Sequence, residues 1–214
     1  MSESQTVERP SFTYKLAIGV AWLLFHTIFP VRYHNTERTR LKAPFLLIGN
    51  HNSMLDPQIV GLPLKQYHIR FLGKKELTKN PLLKAMFRHL RMISVARHNT
   101  DMGAIRACLK TLKDGHVLGI FPEGTRHKKT VMEEMESGVA MIALMSKVPV
   151  LPVYITADPR FLRPVDCYYG EPMPLDDLYA KGVSKEVCDE LLERITATYR
   201  DMIALHQRSI SDRS

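Results

Sequence analysis

Leu47 to Gln58 reads L-I-G-N-H-N-S-M-L-D-P-Q, and the rest of the chain is organised around it. Phe45 to Ile48 is an apolar run of strand length, and Gly49-Asn50 ends it. Asp56-Pro57 reads as a helix start, with Asp56 as N-cap and Pro57 in the first helical position. His51 therefore sits on a loop just past a strand end, five residues before a carboxylate that opens a helix. A tight strand–loop–helix connection folds such a carboxylate back onto the imidazole. Bonded at one ring nitrogen, the histidine has a fixed tautomer and a second nitrogen free to take a proton. The pair is a candidate general base for a hydroxyl. A plain N-cap beside a solvated loop histidine is the competing reading of the same residues.

A second stretch, Phe121-Pro122-Glu123-Gly124-Thr125-Arg126, also follows an apolar strand. Together with His51-x4-Asp56 it resembles the glycerolipid acyltransferase family, whose best-known members are the lysophosphatidic acid acyltransferases. Both motifs stand in the family's order, and the resemblance runs from about Tyr33 to Gly170. It implies a single acyltransferase domain, a mixed sheet flanked by helices, and direct transfer of an acyl group from acyl-CoA or acyl-acyl carrier protein. His51 is then the base and Asp56 its orienter. Arg97, in I-S-V-A-R, matches the block whose arginine helps hold the acceptor phosphate, a task suited to a planar guanidinium. The family pattern usually carries an acidic residue just before that arginine, and this chain has Ala96. Glu123, Gly124, Thr125 and Arg126 match the block assigned to acceptor binding. Gly124 admits close backbone approach, Arg126 adds a cation, and Glu123 bonds either a glycerol hydroxyl or a neighbouring cation. Val148 to Ile155 resembles a fourth block, with Pro152 shaping the acyl-donor side.

Composition sets the frame for these motifs. At 214 residues the chain suits one domain with a full hydrophobic core. Strand and helix patterns alternate, which is the mark of an α/β layer architecture. A net charge of +8 favours an anionic partner such as acidic lipid or a phosphorylated substrate. Nucleic acid is not expected, because the basic residues are scattered, aromatics are only 8%, and no nucleic-acid-binding signature appears. Cys108, Cys167 and Cys188 lack C-x-x-C spacing, so reduced thiols are expected. The histidines lack metal-ligand spacing, and neither a metal nor a cofactor is expected. There is no G-x-S-x-G elbow, Walker loop or dinucleotide fingerprint.

Residues 1–31 read as a polar tail and a membrane-associating helix, ahead of the acyltransferase domain at 32–214. Leu16 to Val31 holds no Lys, Arg, Asp or Glu. Its sixteen residues span about 24 Å as a helix, short of a hydrocarbon core of roughly 30 Å. Lys15 and Arg32 bracket the run, and Trp22 and Phe25 suit a headgroup boundary. An interfacial anchor on an anionic, cytoplasm-facing membrane surface fits best. A buried amphipathic helix of the core is the alternative.

Further strands are expected at Val31–Tyr33, Ile69–Gly73, Met92–Ala96, His116–Phe121 and Val165–Tyr169. Val148 to Ile155 is a strand interrupted by prolines, which a central ladder tolerates poorly. Helices are expected from Pro57 to about Leu64, Leu82 to Leu90, Asp101 to about Lys113 and Gly138 to Ser146. The last starts at Ser184, with Val187, Leu191, Ile195, Tyr199, Met202 and His206 along one face. His51, Lys75, Arg97 and Glu123 to Arg126 all follow apolar strands, so one crevice beyond the strand ends can gather them. Lys75 is the least specific of these, since adjacent lysines commonly form a solvated face. The acceptor expected from the resemblance is lysophosphatidate. Glycerol 3-phosphate or a lyso-aminolipid is the alternative acceptor, and a non-catalytic lipid-binding protein the alternative class.

Overall fold

The structure, a computed structural model, describes residues 16, 19, 20, 23, 27–74, 79, 92–95, 102–124 and 131–212. Seven strands make one mixed sheet: β1 (Val31–His34), β2 (Leu46–Gly49), β3 (Arg70–Lys74), β4 (Ile93–Val95), β5 (Leu118–Ile120), β6 (Val150–Ile155) and β7 (Val165–Tyr169). Their order across the sheet is β1-β7-β6-β2-β5-β3-β4. Every neighbouring pair is parallel except β6 with β7. The helices are α1 (Asp56–Gly61), α2 (Met102–Lys113), α3 (Gly138–Ser146), α4 (Asp176–Lys181) and α5 (Lys185–Ser211).

Parallel strands covered on both faces read as continuous apolar runs, and β2 is such a strand. Phe45 and Leu47 point to one face, Leu46 and Ile48 to the other, and all four are fully buried. Leu46 and Ile48 pack with α2, α3 and α5 through Leu112, Ala143, Leu191 and Ile195. Phe45 and Leu47 pack under α1 and the 3-10 turn Leu62–Leu64 through Ile59, Val60 and Leu64.

The local signals explain the element ends. Helix α2 closes in a Schellman arrangement: Gly115 takes φ 84°, Gly115 N–H bonds Leu112 O at 3.0 Å, and His116 N–H bonds Thr111 O at 3.1 Å. Ser184 caps α5, its side chain accepting from Val187 N–H at 3.3 Å. The apolar face expected on that helix is the buried one, with His206 half-buried against Tyr168. The polar link after β1 forms a 3-10 turn, Thr36–Arg40, and α4 adds a short helix that carries little periodic signal.

One expectation is overturned. The proline-bearing strand β6 lies in the middle of the sheet, between β7 and β2, with Pro152 opposite Ile48. The reason is directional. In an extended strand the N and the carbonyl of one residue point the same way, and Pro152 O accepts Gly170 N–H at 2.8 Å on the β7 side. The missing N–H therefore faces the end of β7 and removes no bond to β2.

Cys108, Cys167 and Cys188 are all buried. The helix expected at Leu82 to Leu90 lies outside the described residues. Of the apolar N-terminal run, residues 16, 19, 20, 23 and 27 are helical, and Leu16, Val20 and Leu23 are exposed. Among the described residues no helix is long and apolar enough to cross a membrane.

Candidate active site

Strands β2, β3, β4, β5 and β6 run parallel, so their carboxyl ends share one edge of the sheet. The loops after β2 and β5 bring His51 and Glu123 together there. His51 Nδ1 lies 2.8 Å from Asp56 Oδ2, and Asp56 is fully buried while 19% of the His51 side chain is exposed. The same carboxylate oxygen accepts the backbone N–H of Asn52 at 2.6 Å and of Ser53 at 2.7 Å. These charge-assisted bonds fix the carboxylate before substrate arrives. With Nδ1–H assigned to Asp56 by this network, the lone pair lies on Nε2, which makes no hydrogen bond among the described residues.

Asp56 does this instead of capping α1. It is the first residue of that helix, and its side chain bonds backward to His51, Asn52 and Ser53 in the loop. The N–H groups of Gln58 and Ile59 are met by the Leu55 carbonyl, at 3.1 and 3.0 Å. The Asp-Pro signal thus marks the helix start, and the aspartate's own work is to hold the loop.

The imidazole is walled by Phe121, whose ring stacks on it at 4.8 Å between centroids. Phe121 reaches that position because Gly49 has no side chain: a Cβ there would lie 2.9 Å from the Phe121 ring. Glu123, 7% exposed, clamps the loop from the other side. Its Oε2 accepts the His51 N–H at 2.6 Å and its Oε1 accepts the Met132 N–H at 2.8 Å. Gly124 follows at φ 62°, the left-handed turn that glycine tolerates.

Three further residues hold the site, and the sequence reading missed them. Asn50, 1% exposed, pairs with both backbone groups of Ile155: its Nδ2–H donates to the carbonyl at 2.9 Å and its Oδ1 accepts the N–H at 2.7 Å. Asn52 Nδ2–H donates to the same carbonyl at 2.9 Å. Tyr199 inserts its hydroxyl between the ends of β2 and β6, 2.6 Å from Ile48 O and 3.1 Å from Val153 O. Burial raises the Tyr199 pKa well above the ordinary phenol value, so the hydroxyl keeps its proton and donates. The one signal in the sequence was a tyrosine on the apolar face of a helix, whose O–H must find a buried partner.

Lys75, Arg97, Thr125 and Arg126 lie outside the described residues. The strands that lead to Lys75 and Arg97 end side by side, Lys74 opposite Val95, at the His51 edge. Pro152 is buried within β6, and a Cβ on Gly170 would lie 2.7 Å from its ring. Among the described residues no group of three or more His, Cys, Asp or Glu side chains comes close enough to hold a metal ion.

Fold and site together define a class: an α/β protein with a carboxylate-oriented histidine at the carboxyl edge of its sheet. Comparison with known proteins narrows that class. The profile of the family described as Acyltransferase matches residues 30–156. The 1-acyl-sn-glycerol-3-phosphate acyltransferase of Bacillus subtilis (strain 168) is 28% identical over 181 residues, covering 85% of this chain and 83% of that protein. The enzyme of the same name from Streptococcus pneumoniae is 27% identical over 208 residues, covering 93% and 76%. The crystal structure of the 1-acyl-sn-glycerophosphate (LPA) acyltransferase PlsC from Thermotoga maritima superposes with a TM-score of 0.65 at 25% identity, over 90% of this chain and 78% of that one. The chain belongs to the Acyltransferase family, and it is an acyltransferase.

Proposed function

We propose that this enzyme transfers a fatty acyl group from an acyl thioester to the free hydroxyl of 1-acylglycerol 3-phosphate, giving phosphatidate. The observation that carries the reading is the 2.8 Å contact of His51 Nδ1 with buried Asp56, which turns Nε2 into a base. Relatives named for this reaction support the choice of acceptor.

In this reading Nε2 takes the proton of the acceptor hydroxyl as its oxygen attacks the thioester carbonyl. Collapse of the tetrahedral intermediate breaks the C–S bond. The leaving thiolate takes the proton back from the imidazolium, and ester and free thiol depart. The acceptor is itself the nucleophile, so no acyl-enzyme forms. General base catalysis of this kind supplies about 10²–10⁴-fold, and positioning and oxyanion stabilisation supply the rest. Arg97 and Arg126 serve to bind the acceptor phosphate, and Thr125 and Lys75 contribute to acceptor binding. Glu123 shapes the acceptor pocket through the loop it clamps. Pro152 acts on the donor side through the form of β6. The donor is acyl-CoA or acyl-acyl carrier protein, and the enzyme works from the cytoplasmic face of a membrane through its N-terminal helix.

The test is free-thiol release from each donor with lysophosphatidate, glycerol 3-phosphate and a lyso-aminolipid supplied separately. Release that needs lysophosphatidate supports the reading. Release only with another acceptor overturns the acceptor and keeps the chemistry, and silence with both donors overturns the chemistry.

A further inference from the structure

We propose that the turn Arg160–Arg163 is a membrane-inserting tip that seats the active-site edge of the sheet on an anionic lipid surface. The inference rests on the membrane placement proposed above and adds a second point of contact to the N-terminal helix.

The sequence from 159 to 164 is P-R-F-L-R-P. A bridge between Arg160 and Arg163 closes it, with Arg163 N–H bonded to Arg160 O at 3.1 Å. The two central turn positions are therefore Phe161 and Leu162, which are 68% and 60% exposed. Leu162 also takes φ 55°, a left-handed conformation that turns of this kind give to glycine or asparagine. A branched aliphatic side chain there is strained and gains nothing from water. Isolated exposed apolar residues are ordinary. Two adjacent ones, held out on a strained turn between prolines that fix their own φ, form a preset wedge.

Charge selects the occupant. Arg160 and Arg163 flank the wedge and are exposed, while Asp158, the only acidic residue from 156 to 164, is half-buried. An aromatic and an aliphatic tip below two arginines matches the layering of a membrane interface, with acyl chains beneath anionic headgroups. A protein partner would have no comparable need for cations on both sides of the wedge.

Topology places the wedge where it helps. The loop leaves β6 at Ile155, the end of that strand that runs parallel to β2 and its His51 loop. Asn50 and Asn52 tie that loop to Ile155. Strand β7 is antiparallel to β6, and β1 is parallel to β7, so β1 begins at this same edge. Leu162 N–H bonds Ile28 O at 2.8 Å, and Val165 N–H bonds Pro30 O at 2.9 Å. Wedge, chain entry and catalytic histidine are thus fastened along one border, and a bilayer meeting the wedge meets the acceptor route to His51.

The test uses the full chain with its single tryptophan moved to the turn, as Trp22→Phe with Phe161→Trp. Vesicles of phosphatidylcholine mixed with phosphatidylglycerol carry brominated acyl chains. The proposal expects a blue-shifted indole emission and bromine quenching when vesicles are added. Replacing the wedge in the original chain, as Phe161→Ser with Leu162→Ser, is expected to weaken vesicle affinity by about tenfold or more. Turnover of a short-chain, monomeric donor and acceptor is expected to stay unchanged in that variant, and this readout reports acyl transfer independently. Co-sedimentation with vesicles while the indole emits as in water overturns the proposal, and so does vesicle affinity indifferent to the wedge. Insertion without any turnover supports the wedge and overturns the acyl-transfer reading.

Discussion

Glu123 Oε2 accepts the backbone N–H of His51 at 2.6 Å, joining the two sequence motifs through the peptide of one and the side chain of the other. The second carboxylate oxygen holds the Met132 N–H at 2.8 Å. The acid therefore fixes the height of the His51 loop against the loop that follows β5. Glu123→Gln turns an NH2 group toward one of those donors and lets the loop shift. The expected result is a kcat lower by about 10²-fold with the donor KM little changed, since small misplacements near a reacting centre have that effect. Steady-state kinetics against each substrate check it; a purely acceptor-side KM effect would speak for direct contact with the acceptor instead.

Asp56 holds the imidazole and two loop amides through one oxygen. Asp56→Asn keeps the shape but presents a neutral amide, which permits the wrong tautomer. The expected loss in kcat is about 10²–10⁴-fold with substrate binding retained. Rates paired with acceptor binding measured by calorimetry distinguish this from unfolding.

Tyr199 bridges β2 and β6 from helix α5 with a buried hydroxyl. Tyr199→Phe leaves the Ile48 and Val153 backbone groups without that partner. A destabilisation of about 1–3 kcal/mol is expected, read as a lower denaturant midpoint at unchanged slope. An unchanged midpoint would mean that the helix does not lock the strand ends.

Asp166 is buried where β7 meets β1, 2.7 Å from Arg32 and 2.6 Å from His34. Burial works to raise its pKa, but the hydrogen bonds from Arg32 and His34 outweigh it, and the net direction is down from 3.8. A carboxyl lowered in the folded state gives stability above its unfolded value, and that stability is lost as pH falls through the folded one. Asp166→Asn should therefore be less stable than the parent at about pH 6, with the gap narrowing as pH falls below 3.8. Urea midpoints across that range measure it, and a gap independent of pH would contradict the assignment.

The sequence carried the site best where its parts are near in the chain. His51 and Asp56 are five residues apart, so one loop had to bring them together, and strand, Gly49 and Pro57 marked its ends. Glu123 was legible as a motif but not as a clamp, because its partner lies 72 residues away. Asn50 and Tyr199 meet partners 105 and 151 residues distant, and nothing local separates a buried asparagine from a turn asparagine. Pro152 misled for a geometric reason: whether a proline harms a ladder depends on which neighbour its nitrogen faces, and that follows only from strand order. The two-faced burial of β2 was legible in Phe45 to Ile48 as four apolar residues without alternation.

The central claim is that His51 is the base for direct transfer, and His51→Ala tests it most directly. Thiol release from an acyl thioester is followed with and without lysophosphatidate, beside a thermal unfolding curve. The account predicts no thiol burst without acceptor, a kcat in the variant lower by about 10²-fold or more, and an unchanged fold. Near-normal turnover by a folded His51→Ala enzyme, or a stoichiometric burst before acceptor is added, would contradict it.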